Sequence, residues 1–198
     1  MNLPNKLTIT RAILTPVFMA VMLVSCIPFR FSISLVIFVF ASLTDLFDGR
    51  IARKRGLVTN FGKFLDPVAD KMLTTAALLG FMIILPTDSL RVQMTVITFI
   101  TLFREFAVSS VRVIAMISDN KKVIAANMWG KLKTVFQMIS IILGLSAYSV
   151  KEFFTGFTAV FDVCIIVFIA LSWIAAALTV ISGVIYVKNN KEVLDFSK

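Results

Sequence analysis

Long apolar segments alternate with short polar segments along the whole chain. A membrane-spanning helix needs about 20 mostly apolar residues, and six segments meet that requirement. They are Thr8–Ile27, Phe31–Asp48, Leu65–Leu85, Arg91–Ile117, Met128–Tyr148 and Phe157–Val187. The fourth and sixth segments are longer than a bilayer requires, so we expect these helices to tilt or to protrude. The pattern predicts an all-α integral membrane protein with six transmembrane helices, built as a single domain over residues 1–198.

Composition agrees with a bilayer as the surrounding solvent. Hydrophobic residues make up 59% of the chain and the mean hydropathy is +0.94, which is more apolar than soluble domains.

The first segment also resembles a lipoprotein signal that ends at Cys26. We expect it to be retained, because the run is long enough to span and the next segment follows almost at once. The chain contains no histidine, so any chemistry must rest on carboxylates, lysine, arginine or hydroxyl groups.

The net charge of +9 is distributed unevenly. Only Arg30, Arg91 and Lys151 fall in the predicted outer loops, whereas all the other basic residues lie at the opposite ends of the segments. Because basic residues favour cytoplasmic loops, this pattern predicts a multi-pass protein of the cell membrane with both termini in the cytoplasm. No basic run is interleaved with aromatic residues, so we expect no nucleic-acid partner.

Four aspartates carry the strongest chemical signal in the sequence. Asp45 and Asp48 are three residues apart, and Asp66 and Asp70 are four apart, so each pair shares one face of a helix. Carboxylates gathered at the ends of two adjacent spans would repel one another at the membrane boundary. A divalent cation removes that repulsion, and ligands that are all oxygen favour Mg²⁺ or Mn²⁺. Two ions fit four carboxylates. Solvated helix caps beside neighbouring arginines are the alternative interpretation.

Small residues lie within four positions of these aspartates in the sequence. Gly49, Ala52 and Gly62 lie at short distances along the chain from them, and such residues let a base or a diphosphate approach the backbone closely. Close packing between helices is the alternative role for each of them taken singly. Pro67 is tolerated if Asp66 begins the third helix, because proline is accommodated in a first turn.

Together these positions resemble the signature of the CDP-alcohol phosphatidyltransferase family at all eight fixed residues. The stretch reads Asp45-x2-Asp48-Gly49-x2-Ala52-Arg53-x8-Gly62-x3-Asp66-x3-Asp70. The resemblance implies a six-helix membrane fold, two metal ions, a CDP-activated lipid donor and a homodimer. It implies that the four aspartates bind metal and that Asp70 is also the general base. The implied nucleotide and donor site consists of Asn5, Thr8, Asp48, Gly49, Ala52, Arg53 and Gly62.

Three further stretches are similar to those members of the family that transfer the phosphatidyl group of CDP-diacylglycerol to glycerol 3-phosphate. They are Pro4-Asn5-x-Leu7-Thr8-x2-Arg11, Arg104-Glu105-Phe106-x-Val108-Ser109-x2-Arg112 and Gly130-Lys131-x-Lys133-Thr134. The similarity extends from Asn2 to about Gln137, and the last helix adds little to it. The resemblance implies glycerol 3-phosphate as the acceptor and CMP as the leaving group.

A phosphorylated acceptor needs cations outside the aspartate signature. Arg104 and Arg112 are eight residues apart in one span, about two helical turns. An intramembrane arginine costs free energy unless it is paired or faces a polar cavity, and snorkelling to the cytoplasmic headgroups is the alternative, more so for Arg112. Glu105 adjoins Arg104 but should point elsewhere on the helix, so we expect it not to neutralise that arginine. Lys131 and Lys133 should point to opposite sides of the next helix, so at most one should reach a shared pocket. The predicted acceptor-phosphate residues are Arg104, Arg112, Lys131 and Lys133.

Three alternatives to this function stay open. The same chemistry with inositol phosphate, serine or a lipid alcohol as acceptor would use the same aspartates. A transporter should spread polar residues across the membrane depth, whereas here they gather at the cytoplasmic ends of the segments. A structural subunit leaves the spacing of the aspartates unexplained. The sequence therefore favours transfer chemistry on a lipid, with the active site at the cytoplasmic ends of the helices.

Overall fold

The computed structural model describes the backbone of residues 3–55, 60–117, 128–154, 156 and 158–189. Side chains are described for residues 8–44, 71–111, 128–154, 156 and 158–189. The described chain forms six α-helices, one for each apolar segment of the sequence. They are α1 Leu3–Leu23, α2 Arg30–Arg55, α3 Asn60–Ile84, α4 Asp88–Ile117, α5 Met128–Phe153 and α6 Thr158–Asn189.

The six helices pack side by side in a ring. Helix α1 packs against α2 and α3, α2 packs against α5, α5 against α6, α6 against α4, and α4 against α3. Aromatic side chains fill the middle, where the ring centroids of Phe81 and Phe168 are 4.5 Å apart. Gly144 makes this contact between α3, α5 and α6 possible, because a Cβ there would lie 2.7 Å from the Phe81 ring.

The apolar character of the helices continues on their outer surface. Three described segments are long and apolar enough to cross a membrane, namely Asp88–Val111, Met128–Phe153 and Thr158–Asn189. The described apolar parts of the first three helices are shorter, covering Thr8–Leu23, Arg30–Thr44 and Lys71–Ile84. Large side chains such as Val36 and Phe99 are each 67% exposed, and a continuous surface of this kind is typical of a protein that contacts lipid. The all-α fold and its membrane character agree with the sequence.

The helices around the aspartates differ from the predicted spans at their polar ends. Helix α2 continues to Arg55 rather than ending at Asp48, and α3 begins at Asn60 rather than at Leu65. Arginine and lysine are good helix formers, so a helix extends beyond the part that is apolar enough for a bilayer. Pro67 consequently lies inside α3, so the condition that Asp66 caps this helix is not met.

At the end of the bundle opposite the aspartates, Glu152 of α5 connects α5 to α2. Its carboxylate accepts hydrogen bonds from the backbone N–H groups of Phe31 and Ser32, at 3.1 and 3.2 Å. These groups belong to the first turn of α2 and have no partner within the helix. The carboxylate therefore caps α2 and fixes it to α5.

Candidate active site

The four signature aspartates lie on two neighbouring helices. Asp45 and Asp48 are on α2, while Asp66 and Asp70 are on α3, and both helices pack against α1. Their side chains fall outside the described residues, as do those of the predicted nucleotide-binding residues other than Thr8. Convergence of the aspartates on one site therefore stays a prediction. Among the described residues, no group of three or more cysteine or acidic side chains forms a metal site.

Thr8 and Arg11 bring the N-terminal motif into the interior. Their side chains are 1% and 2% exposed on α1, although both residues are polar. Helix α1 packs against both helices that carry the aspartates. Burial of Thr8 does not test its predicted role in binding the donor, which stays a prediction. The residue does lie on a helix that packs against α2 and α3.

Lys71 immediately follows Asp70 and is the first residue of α3 whose side chain is described. Its ammonium group lies 3.2 Å from the Glu105 carboxylate. It also donates a hydrogen bond to the Ser109 hydroxyl at 2.5 Å. Both partners are on α4, one turn apart. The segment of α3 next to Asp70 is thereby attached to the helix that carries Arg104.

Glu105 is the centre of a cluster of charges contributed by three helices. Its carboxylate contacts Lys71 of α3, Lys133 of α5 and its own neighbour Arg104, whose Nη1 atom is 3.2 Å away. The expectation that Glu105 does not neutralise Arg104 is wrong. Adjacent residues diverge at Cβ, yet both side chains are long enough to meet beyond the backbone. Three cations share one carboxylate, so these four residues keep a net positive charge.

The side chain of Arg104 packs against α6. The Nη2 atom of Arg104 donates a hydrogen bond to the buried Ser182 hydroxyl at 2.9 Å. A Cβ on Gly183 would lie 3.0 Å from Arg104 Cγ, so the absence of a side chain there makes room for the arginine stem. The buried Nε atom has no hydrogen-bond partner in the part of the structure that is described. Arg104 is thus held in place while one donor remains unused.

The two lysines of α5 separate as the sequence predicts. Lys133 is 5% exposed and contacts Glu105, whereas Lys131 is exposed. The predicted divergence of the two side chains is confirmed for the described structure, whereas the part of either lysine in an acceptor pocket stays a prediction. The side chain of Arg112 lies outside the described residues, so its part in an acceptor site stays a prediction.

Sequence reasoning missed Lys71, Glu105, Ser182 and Gly183 as parts of this cluster. Glu105 and Ser109 belong to the motif that contains Arg104, but the motif alone does not indicate a function for either residue. A signal for Ser182 exists in the sequence, because an intramembrane arginine needs a hydrogen-bonding partner and a hydroxyl in another span can provide one. Nothing in the sequence alone indicates that Lys71 meets Glu105.

The described helices carry the aspartate pattern on α2 and α3, and a cationic cluster joins the end of α3 that follows Asp70 to α4 and α5. The CDP-alcohol phosphatidyltransferase family model matches residues 1–185, and the chain belongs to that family.

Similar proteins from several bacteria are named CDP-diacylglycerol–glycerol-3-phosphate 3-phosphatidyltransferase. The protein of this name from Bacillus subtilis is 40% identical over 208 residues, covering 99% of this chain and 98% of its own length. The one from Rickettsia bellii is 36% identical, with 96% of each chain covered. The one from Haemophilus influenzae is 37% identical over 71% of this chain and 73% of its own. The similarity thus extends over nearly the whole of the first two relatives.

Proposed function

We propose that this chain transfers the phosphatidyl group of CDP-diacylglycerol to sn-glycerol 3-phosphate. The products are phosphatidylglycerophosphate and CMP, so the protein acts in phospholipid biosynthesis. Membership of the family and the names of the full-length relatives support this reaction. The choice of acceptor rests on the net-positive cluster around Glu105. This cluster is next to the proposed general base, because its member Lys71 immediately follows Asp70 in α3.

The aspartate pairs suit a divalent metal by their positions and their chemistry. Spacings of three and four residues keep Asp45 with Asp48, and Asp66 with Asp70, on one face of each helix, and α2 and α3 are helical over these positions. We infer that these residues would hold two Mg²⁺ or Mn²⁺ ions, for which carboxylates are suitable ligands. The bound cations would neutralise the diphosphate of the donor and stabilise the departing CMP.

The remaining steps fall to the side chains of the protein. A primary hydroxyl of the acceptor attacks the phosphatidyl phosphorus, and its proton passes to the Asp70 carboxylate. The bond between that phosphorus and the bridging oxygen breaks, and the electron pair leaves with CMP. Asn5, Thr8, Gly49, Ala52, Arg53 and Gly62 would orient the nucleotide. No covalent enzyme intermediate is required.

Recognition of the acceptor rests on its phosphate. At neutral pH a phosphate monoester carries a charge of about −1.5 to −2, which matches a cluster in which three cations share one carboxylate. Arg104 is suited to bind it because a guanidinium forms paired hydrogen bonds to phosphate, and its Nε donor is unused among the described residues. Lys133 would add charge from α5. Arg112 and Lys131 are further candidates for contact.

The arrangement of the chain in the membrane belongs to the same proposal. Six spans with both termini in the cytoplasm place the aspartates and the basic residues on the side where a water-soluble acceptor is present. The loops with few basic residues then face outward. We also propose that the chain is a single domain and works as a homodimer, as the family resemblance implies.

The test is to supply purified protein with CDP-diacylglycerol and a set of acceptors at equal concentration. Glycerol 3-phosphate should give phosphatidylglycerophosphate and CMP in equal amounts, while glycerol, serine and inositol phosphate should react poorly. Chelation of divalent cations should stop the reaction, and Mg²⁺ or Mn²⁺ should restore it. Equal reaction with an unphosphorylated alcohol would contradict the role of the cluster, and full activity in excess chelator would contradict the role of the metal.

A further inference from the structure

An apolar groove runs along the surface of the bundle where α4 packs against α6. Its volume is about 620 Å³, within the range of about 300–1,000 Å³ that is usual for small-molecule sites. The walls are formed by Phe99, Phe103 and Ala107 of α4 and by Val180, Val184 and Val187 of α6. Phe99 and Phe103 are each 67% exposed and their rings are stacked. The groove thus presents a long apolar surface to its surroundings.

The polar side chains that line the groove are basic. Lys188 stands in the last turn of α6 and is exposed; it makes no ion pair with any residue that the structure describes. Arg104 lies further along, with its stem against Gly183, and its Nε atom has no partner within the described structure. Among the residues that the structure describes, no acidic side chain lines the groove. Within that part of the chain, the groove is therefore an apolar channel that ends at a positive charge without an ion-pair partner.

The geometry points to a binding site for an anionic phospholipid, with one acyl chain in the α4/α6 groove and the lipid phosphate at Lys188. Basic pockets between transmembrane helices are suited to anionic headgroups, and the walls supply apolar contact for the chain. A neutral helix of a partner would cover the same walls but would leave Lys188 without a counter-charge. This site adds lipid binding to the proposed transfer reaction and does not depend on turnover.

The direction of the bound lipid follows from the position of its phosphate at Lys188, at one end of the groove. From Val180 to Lys188 an α-helix rises about 12 Å, at about 1.5 Å per residue. With the phosphate at Lys188, the acyl chain runs toward Phe99 and Val180. A reactive group partway along the acyl chain, about 12 Å from the phosphate, should accordingly label that end of the groove.

The test uses the full chain in phosphatidylcholine vesicles that contain a trace of phosphatidylglycerol with a diazirine partway along one acyl chain, about 12 Å from the phosphate. After illumination, labelled peptides are mapped by mass spectrometry. Labelling should concentrate at Phe99, Phe103 and Val180, and unlabelled phosphatidylglycerol should suppress it where added phosphatidylcholine does not. Lys188→Gln should reduce labelling about fivefold, the factor expected when one cation is lost beside an anionic lipid.

Matched variants separate this site from general contact with lipid. Val184→Trp should fill the groove and abolish the local labelling, whereas Val163→Trp places the same side chain on an exposed part of α6 outside it. Lys151→Gln controls for loss of a lysine at the other end of the bundle. Suppression by phosphatidylcholine equal to that by phosphatidylglycerol in the unaltered protein would overturn the proposal. Equal labelling along the lipid-facing sides of both helices, or cross-linking of Phe103→Cys between two protein chains, would also overturn it.

Discussion

Replacement of Glu105 by glutamine removes the negative charge that Lys71, Arg104 and Lys133 share in the described structure, while it keeps the shape of the side chain. The carboxylate is 18% exposed, and its partners Lys71, Arg104 and Lys133 are 35%, 16% and 7% exposed. Loss of one member from a buried ion pair costs about 3–5 kcal/mol, because the remaining charge is left without compensation. Here three cations lose the carboxylate that they share, so we expect Glu105→Gln to lower the free energy of unfolding by at least that amount.

Lys133→Met should cost less, since Glu105 would still contact Lys71 and Arg104. A hydrogen bond to a charged group contributes about 1.5–3 kcal/mol, and methionine fills a similar apolar space. In the double variant the glutamine no longer faces a buried ammonium group. The cost of the double variant should therefore be smaller than the sum of the single costs, with a coupling free energy of about 1–3 kcal/mol.

The assay is equilibrium unfolding in mixed detergent micelles, followed by tryptophan fluorescence. Trp129 lies one turn from Lys133 on α5, and Trp173 reports independently from α6, where it donates a hydrogen bond to Gln93. Asp88→Asn is the control, because this carboxylate pairs with Arg91 while it is 95% exposed, and such pairs contribute little. Additive effects of the Glu105 and Lys133 substitutions would refute the shared cluster.

Three further expectations follow from the same structure. Asp70→Asn, like the equivalent change at the other signature aspartates, should abolish turnover, and circular dichroism should show an unchanged helix content. Ser182→Ala should raise KM for glycerol 3-phosphate several-fold with little change in KM for the donor, since it frees Arg104; Ser172→Ala, a buried serine on the same helix, should leave both constants unchanged. A cysteine at position 121, in a chain without the natural cysteines, should resist an impermeant reagent in intact cells, and ready labelling would reverse the proposed orientation.

The number of helices and their membrane character were predictable because both depend on apolar segments that are contiguous in sequence. The polar ends of α2 and α3 were predicted less well. A span is defined by what a bilayer tolerates, whereas a helix such as α2 continues to Arg55 as long as its residues favour that conformation. The same difference explains why Pro67 lies inside α3 rather than in its first turn.

The candidate site was predictable where its residues are close in sequence. The separation of Lys131 from Lys133 follows from helical register alone. Contacts such as Arg104 with Ser182 join residues 78 positions apart, and no local pattern contains that information. The predicted isolation of Glu105 from Arg104 failed for a related reason. Register gives the direction of Cβ but not the positions of long side chains that other helices attract.

The proposed function depends on recognition of the acceptor phosphate by Arg104 and its cluster. The most direct measurement is the initial rate against each substrate for the unaltered protein and for Arg104→Lys, with Arg91→Lys as the matched change at the other end of α4. Loss of paired contacts to phosphate should raise KM for glycerol 3-phosphate roughly ten- to hundredfold. KM for CDP-diacylglycerol should change little, and Arg91→Lys should alter neither constant. An unchanged KM for glycerol 3-phosphate in Arg104→Lys, or an equal rise for both substrates, would show that Arg104 does not bind the acceptor phosphate selectively.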